Sequence, residues 1–248
     1  MIDLDYVEAL LQRGANVNCA DKYGQTLLHE VARAWHIDVA KFLIFYGAEV
    51  NNPDSFGRTP LHVAAAADYA EMVNFLIKNG ADKDARTKNE LQSPVHYAAK
   101  KDACMSLRAL IKNKCEYRHV WDYKGRTPLH LWKHYNFFFD RSESARLLLN
   151  LDVPVGVSDD RGQKTITWMI TKMPQLYAME ALNQFHSTDR PNRKQHFHLN
   201  YLMQDREKDK EGFTQTPLQV AVNYKQYDLL MHKVFLCLIN TMWTKFTR

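Results

Sequence analysis

At 248 residues, 46% hydrophobic and 25% charged, the chain has enough apolar content to bury a core and too much for a disordered segment. Its net charge of +5, from 33 basic and 28 acidic residues, is spread along the chain; it supports nucleic acid or anionic lipid only weakly, and no nucleic-acid partner is expected. Cys19, Cys104, Cys115 and Cys237 lie far apart without a paired spacing, which argues against a disulfide framework or cysteine zinc site and for reduced thiols in a cytosolic setting. The N-terminus, with Asp3, Asp5 and Glu8, does not read as a secretory signal. The uncharged run near the C-terminus is about half of the roughly 20 residues that a membrane-crossing helix needs.

The first predicted element is a helix carrying Leu4, Val7, Leu10 and Leu11 and closed by Gly14. Beyond it the chain repeats. Thr26-Leu27-Leu28-His29, Thr59-Pro60-Leu61-His62, Ser93-Pro94-Val95-His96 and Thr127-Pro128-Leu129-His130 recur at steps of 33, 34 and 34 residues. Gly14, Gly47 and Gly80 are 33 apart, and Asn113 stands at the next tooth. A Ser or Thr hydroxyl accepts from the free amides of a first helical turn, and Pro suits the first helical position, so Thr26, Thr59, Ser93 and Thr127 are predicted repeat caps. Gly and Asn most readily take the left-handed conformation that ends a helix. In the first full unit Leu28, Val31 and Ala32 are expected to line one short helix, and Val39, Phe42, Leu43 and Phe45 its partner. Neither helix can bury its face alone, so neighbouring pairs must stack into a solenoid. His29, His62, His96 and His130 recur with the caps and are expected to bond nearby backbone rather than a metal or substrate. In the fourth unit the stretch around Phe137, Phe138 and Phe139 lengthens the link between the helices, and those rings are expected to tuck under the loop.

These residues resemble the ankyrin repeat family. "DKYGQTLLHEVARAWHIDVAKFLIFYGAEVN" and "DSFGRTPLHVAAAADYAEMVNFLIKNGADKD" follow its Asp-x-x-Gly-x-Thr-Pro-Leu-His opening and its Gly-Ala close. The resemblance covers residues 1–160, about four to five units, and decays at Asp160-Arg161-Gly162, where Thr165 keeps the cap but Pro and His are gone. It implies partner binding through β-hairpin tips and a concave helical face, with no catalysis. The opening helix aligns with the second helix of a truncated repeat, and the chain is therefore expected to be a fragment.

Residues 161–248 follow another plan. A helix is predicted over 175–185, with Leu176, Met179, Leu182 and Phe185 on one side. A strand is predicted over 196–202, with Phe197, Leu199 and Tyr201 facing away from His196, His198 and Asn200. His196 and His198 could share a metal, but no third ligand is near in sequence, and no metal or cofactor is expected. Arg190, Arg193 and Lys194 form a basic cluster that is a candidate phosphoinositide contact. Thr216-Pro217 should cap a helix carrying Leu218, Val222 and Leu229. A last helix should set Val234, Phe235, Leu238, Ile239, Met242, Trp243 and Phe246 along one stripe.

The stretches "HSTDRPNRKQHFHLNYL" and "YDLLMHKVFLCLINTMWTKFTR" resemble the linker before the first membrane span in ankyrin-type transient receptor potential (TRPA) cation channels, nearest to the invertebrate pyrexia and painless kind. The resemblance implies a sensory, ion-transporting parent channel, probed by heat, irritants or force, that is homotetrameric and sits in the plasma membrane. This chain would be its cytosolic part, coupled to the membrane domain through Phe235, Leu238, Trp243 and Phe246. Irritant-sensing members use reactive cysteines in this linker, and here none lies between Cys115 and Cys237. The alternative is a free-standing soluble ankyrin adaptor that binds another protein on its concave face. No phosphate loop, nucleophile motif or metalloprotease motif is present, and an enzyme is not expected. The expected fold is all-α, a solenoid of stacked helix pairs followed by a mostly helical linker with one or two short strands.

Overall fold

The computed structural model describes residues 4–131, 143–188, 195–203 and 215–246. As expected, it is an all-α repeat solenoid with helices beyond it and a single two-stranded sheet among the described residues. The chain divides into two compact units, residues 1–123 with 131–133 and residues 124–130 with 134–248. Within the second unit the turn at Asp159 is bonded to Lys124 (Asp160 N to Lys124 O, 2.9 Å) and Thr165 N to Val157 O (2.9 Å).

In the first unit α1 (Leu4–Gln12) precedes three helix pairs: α2 (Leu27–Arg33) with α3 (Ile37–Phe45), α4 (Pro60–Ala66) with α5 (Ala70–Lys78), and α6 (Pro94–Lys100) with α7 (Cys104–Lys112). Helices of seven and nine residues are too short to persist alone in water. They persist because α2, α4 and α6 stack on one another while α3, α5 and α7 stack behind them. The seven-residue helices meet through small and branched side chains, Val31 and Ala32, Ala64 and Ala65, Ala98 and Ala99, all buried. The nine-residue helices turn in equivalent positions: Val39, Ala40 and Leu43, then Met72, Val73 and Leu76, then Ser106, Leu107 and Leu110. Phe45 is not in the core; it is 83% exposed, since at 100° per residue it lies opposite the Val39–Ala40–Leu43 face, where Ala40 packs instead. No residue of α1 is fully buried.

Helix starts follow one pattern. Thr26, Thr59 and Ser93 stand in extended backbone, and each exchanges bonds with the His three residues on in a capping box. Gly14, Gly47 and Gly80 take φ of +92°, +86° and +86° after their helices. At the fourth unit the left-handed residue is Lys114 (φ +57°) and not Asn113. The cause lies upstream. The turn 87–92 holds one more residue than its counterparts, closing on Leu91 (φ +50°) where they close on Gly24 and Gly57, so everything after it moves by one.

The second unit contains α8 (Pro128–Leu131), α9 (Glu143–Asn150), α10 (Thr165–Lys172), α11 (Gln175–Leu182) with a 3-10 turn Asn183–Phe185, β1 (His186–Thr188), β2 (Gln195–Phe197), α12 (Asn200–Met203), α13 (Pro217–Asn223), α14 (Tyr227–Leu230) and α15 (Lys233–Phe246). Ile166, Tyr177, Leu182, Leu202, Leu229 and Phe235 are among its buried side chains. β1 and β2 are antiparallel, His186 opposite Phe197 and Thr188 opposite Gln195. The predicted strand is therefore shorter than 196–202: pairing ends at Phe197, and residues 200–203 turn into α12. On α11 the inward face is Tyr177, Ala178, Ala181 and Leu182, whereas Leu176 is half exposed. On α13 it is Pro217, Val220 and Ala221, whereas Val222 is exposed.

The pair α13–α14 repeats the local geometry of the first unit. Thr216 accepts from Gln219 N (3.1 Å) and donates its own amide to Gln219 Oε1 (2.8 Å). Lys225, two residues past the helix, has φ +55°, as Trp35, Asp68 and Asp102 have between the helices of each earlier pair.

Candidate protein-binding surface

The first two full repeats open with a turn built around a carboxylate, and the third with one built around the Thr87 hydroxyl, which accepts from Gln92 N at 3.0 Å. Asp21 Oδ1 accepts from Tyr23 N and Gln25 N (2.8 Å each), and Asp54 Oδ1 from Phe56 N (2.9 Å) and Arg58 N (2.8 Å). A short acidic side chain thus substitutes for a backbone acceptor and fixes the tip. Successive tips are joined main chain to main chain: Ser55 N to Tyr23 O (2.9 Å), Lys88 N to Phe56 O (2.9 Å) and Tyr123 N to Glu90 O (3.0 Å). The approach is close enough that a Cβ on Gly57 would lie 2.5 Å from Lys88 N. On this ladder the rings of Tyr23, Phe56, Trp121 and Tyr123 stand about half exposed. Exposed aromatics on rigid backbone supply contact area at little entropic cost.

Beside Phe56 lies a hollow of about 320 Å³, lined by Phe56, Arg58, Thr87, Glu90 and Tyr97. Arg58 is held over the Phe56 ring, 5.0 Å from its centroid, by a 2.6 Å bond from Nε to Asp54 Oδ2. Lys100 Nζ lies 3.9 Å from Glu90 and 6.0 Å from the Tyr97 ring centroid. Burial pushes the Tyr97 hydroxyl above its ordinary range. The hollow offers two ring faces and charges of both signs, which suits a peptide segment. In the second unit the corresponding hollow, about 170 Å³, is lined by Lys124, Arg126, His130, Arg161 and Trp168, so that basic side chains replace the Phe56 ring.

The recurring histidines hold this surface from behind. His29 Nδ1 accepts from Thr26 N (3.2 Å), and Nε2 is 2.9 Å from Arg58 O in the following unit. His62 does the same with Thr59 N (3.1 Å) and Gln92 O (3.0 Å). In the second unit His130 joins Thr127 N (3.1 Å) to Gln163 O (3.3 Å). One ring nitrogen accepts and the other donates, which requires the neutral form. Burial lowers His62 to about 4 and lowers His29 too.

Other predicted site residues are scattered. Arg190, Arg193 and Lys194, together with Phe137, Phe138 and Phe139, lie outside the described residues. His196 and His198 are exposed. Phe235 and Leu238 are buried, but Trp243 is 69% exposed. Along α15 the apolar stripe is covered only in its first part, where Val234, Phe235 and Leu238 are buried, while Ile239, Met242 and Trp243 further along are exposed. Cys115 is buried, and desolvation pushes its thiol up to about 12. Sequence reasoning missed the Phe56–Tyr97 hollow, whose walls come from segments some 30 residues apart. The only sequence signal for it is the aromatic at the turn tip.

No curated protein matches the chain. Among the described residues no helix is long and apolar enough to cross a membrane. Residues 3–87 match the family model described as ankyrin repeats (3 copies). Capped helix pairs, joined turn tips and this match agree: the N-terminal region is an ankyrin-repeat array, a protein–protein interaction domain.

Proposed function

We propose that the chain is a binding protein and not an enzyme, holding a protein partner along its turn tips and the hollow at Phe56 and Tyr97. The observation that carries this is the backbone ladder beneath Tyr23 and Phe56, which fixes exposed rings at repeat spacing. Photo-crosslinking residues placed at Tyr23 and Phe56 of the full chain should trap one partner, and the same residue at Met105, exposed on α7, should not. Equal trapping at all three positions refutes the assignment.

The finer reading is that residues 162–248 are the pre-membrane linker of a TRPA-type cation channel, with the ankyrin array passing partner binding or a stimulus to the pore at the cytoplasmic face of the plasma membrane. Its support is the likeness of residues 186–202 and 227–248 to that linker and the later part of the α15 stripe, Ile239, Met242 and Trp243, which the second unit leaves exposed. The parent would be a homotetramer, with its membrane domain as the partner of α15. Residues 162–248 grafted before the six spans of a related channel should sustain stimulus-evoked current, and Trp243→Ala should reduce it at equal surface expression. A graft that never conducts leaves the chain as a free-standing adaptor.

A further inference from the structure

Trp35 occupies a position that the fold gives elsewhere to aspartate. It lies between α2 and α3 at φ +67°, where the next two units carry Asp68 (φ +59°) and Asp102 (φ +54°). Asn and Asp tolerate this left-handed backbone, and a bulky side chain is costly there. Core packing does not account for the choice, since Trp35 is 59% exposed. Asp68 has a structural task, accepting from Ser106 N at 2.8 Å; among the described residues the Trp35 indole ring has no hydrogen-bonding counterpart to it.

The ring is nevertheless held in place. Tyr69, from the next unit, stacks on it at 5.0 Å between centroids with planes 12° apart, and Tyr69 Oη donates to Trp35 O at 3.1 Å. The stacked rings border a groove of about 530 Å³ whose other walls include Ile37, Asp38, Val39 and Glu71. Asp38 is 3.1 Å from Lys41, but with the two side chains 89% and 60% exposed this is a solvated, exchangeable pair. An indole face beside two carboxylates is complementary to a cation, and to a planar guanidinium above all, which stacks on the ring while its N–H groups reach the acids.

We propose that this groove binds an arginine side chain of a basic peptide segment in a partner protein, the guanidinium lying on Trp35 and paired with Glu71 and Asp38. The site is separate from the turn-tip surface and does not depend on the channel reading. The test is fluorescence anisotropy of a short labelled arginine peptide added to the full chain, with lysine and glutamate peptides of equal length beside it. The arginine peptide should bind best and the glutamate peptide not at all. Trp35→Asn, which keeps a residue suited to the left-handed turn, and Glu71→Gln should each weaken binding about two- to fivefold, the worth of an exposed cation–π or ion-pair contact. A melting temperature for Trp35→Asn equal to or above the parent's separates lost binding from lost folding. Met105→Ser, on the exposed side of α7, should leave the affinity unchanged. The proposal is overturned if Trp35→Asn binds the arginine peptide as the parent does, if the glutamate peptide binds equally, or if Met105→Ser weakens binding while Trp35→Asn does not.

Discussion

His62 Nε2 lies 3.0 Å from the carbonyl oxygen of Gln92, thirty residues along the chain, so one imidazole both starts its own helix and holds the turn of the next unit. The proton this bond needs is the only one the ring carries, because its other nitrogen accepts from Thr59 N. A second proton breaks the arrangement.

Stability should therefore fall in weak acid. The folded value of His62 is about 4 against an ordinary 6.5, so the unfolded chain takes up the proton first. Its contribution is complete above about pH 6.5, declines as pH falls toward 4, and amounts to something on the order of 3 kcal/mol. Denaturant melts at pH 7 and pH 4.5 check this. His62→Gln, which can still cap and donate but does not titrate, should flatten the slope between them.

Cap and core should separate in magnitude. Thr59→Ala removes a capping hydroxyl and should cost about 1 kcal/mol. Leu61 is fully buried, and Leu61→Ala should cost about 2–5 kcal/mol. Equal losses in urea melts would mean that the packing between α4 and its neighbours is not what secures the unit.

Two glycines with nearly the same backbone should respond differently to alanine. Gly80 (φ +86°) has no atom within 4 Å of a built Cβ, so Gly80→Ala should cost only the left-handed backbone penalty, about 1–2 kcal/mol. At Gly57 (φ +80°) the Cβ would meet Lys88 N at 2.5 Å, and Gly57→Ala should cost clearly more. Slowed amide exchange at Lys88 in the parent, lost in Gly57→Ala, would locate the damage in the ladder.

Thiol chemistry should be selective. Cys19 is exposed, while Cys104 and Cys115 are buried. At pH 8 a thiol raised to about 12 holds almost no thiolate. Iodoacetamide followed by peptide mass mapping should label Cys19 first and Cys115 last, and early labelling of Cys115 would mean that the α7 end opens readily.

The repeating half was legible because burial imposes the same demand on each unit. Thr59, Pro60, Leu61 and His62 carry cap, helix start, core and cross-link in four consecutive residues, and a period of such residues admits few other structures. The second unit was harder to read. Three-residue strands such as β1 are too short to show a period; the Thr216-Pro217 cap was legible, but its likeness to the repeat pairs was hidden because Gln219 fills the place of the histidine. Phe45 misled because hydrophobicity places a residue on a helix, but the neighbour's position decides which side is inside. The Trp35 groove was illegible because left-handed backbone at a tryptophan has no sequence signature.

The cross-links between units also say how the array would yield under tension. Neighbouring turn tips are tied by main-chain bonds, and His29 and His62 reach the following repeat by side-chain bonds. A pull at one end of the first unit would thus load a short zipper and not the whole body at once. Units should detach singly from the free end, each releasing about 110–120 Å of contour for its 33 or 34 residues. Such an array would lengthen in even steps and re-form by docking each freed unit on the one still folded.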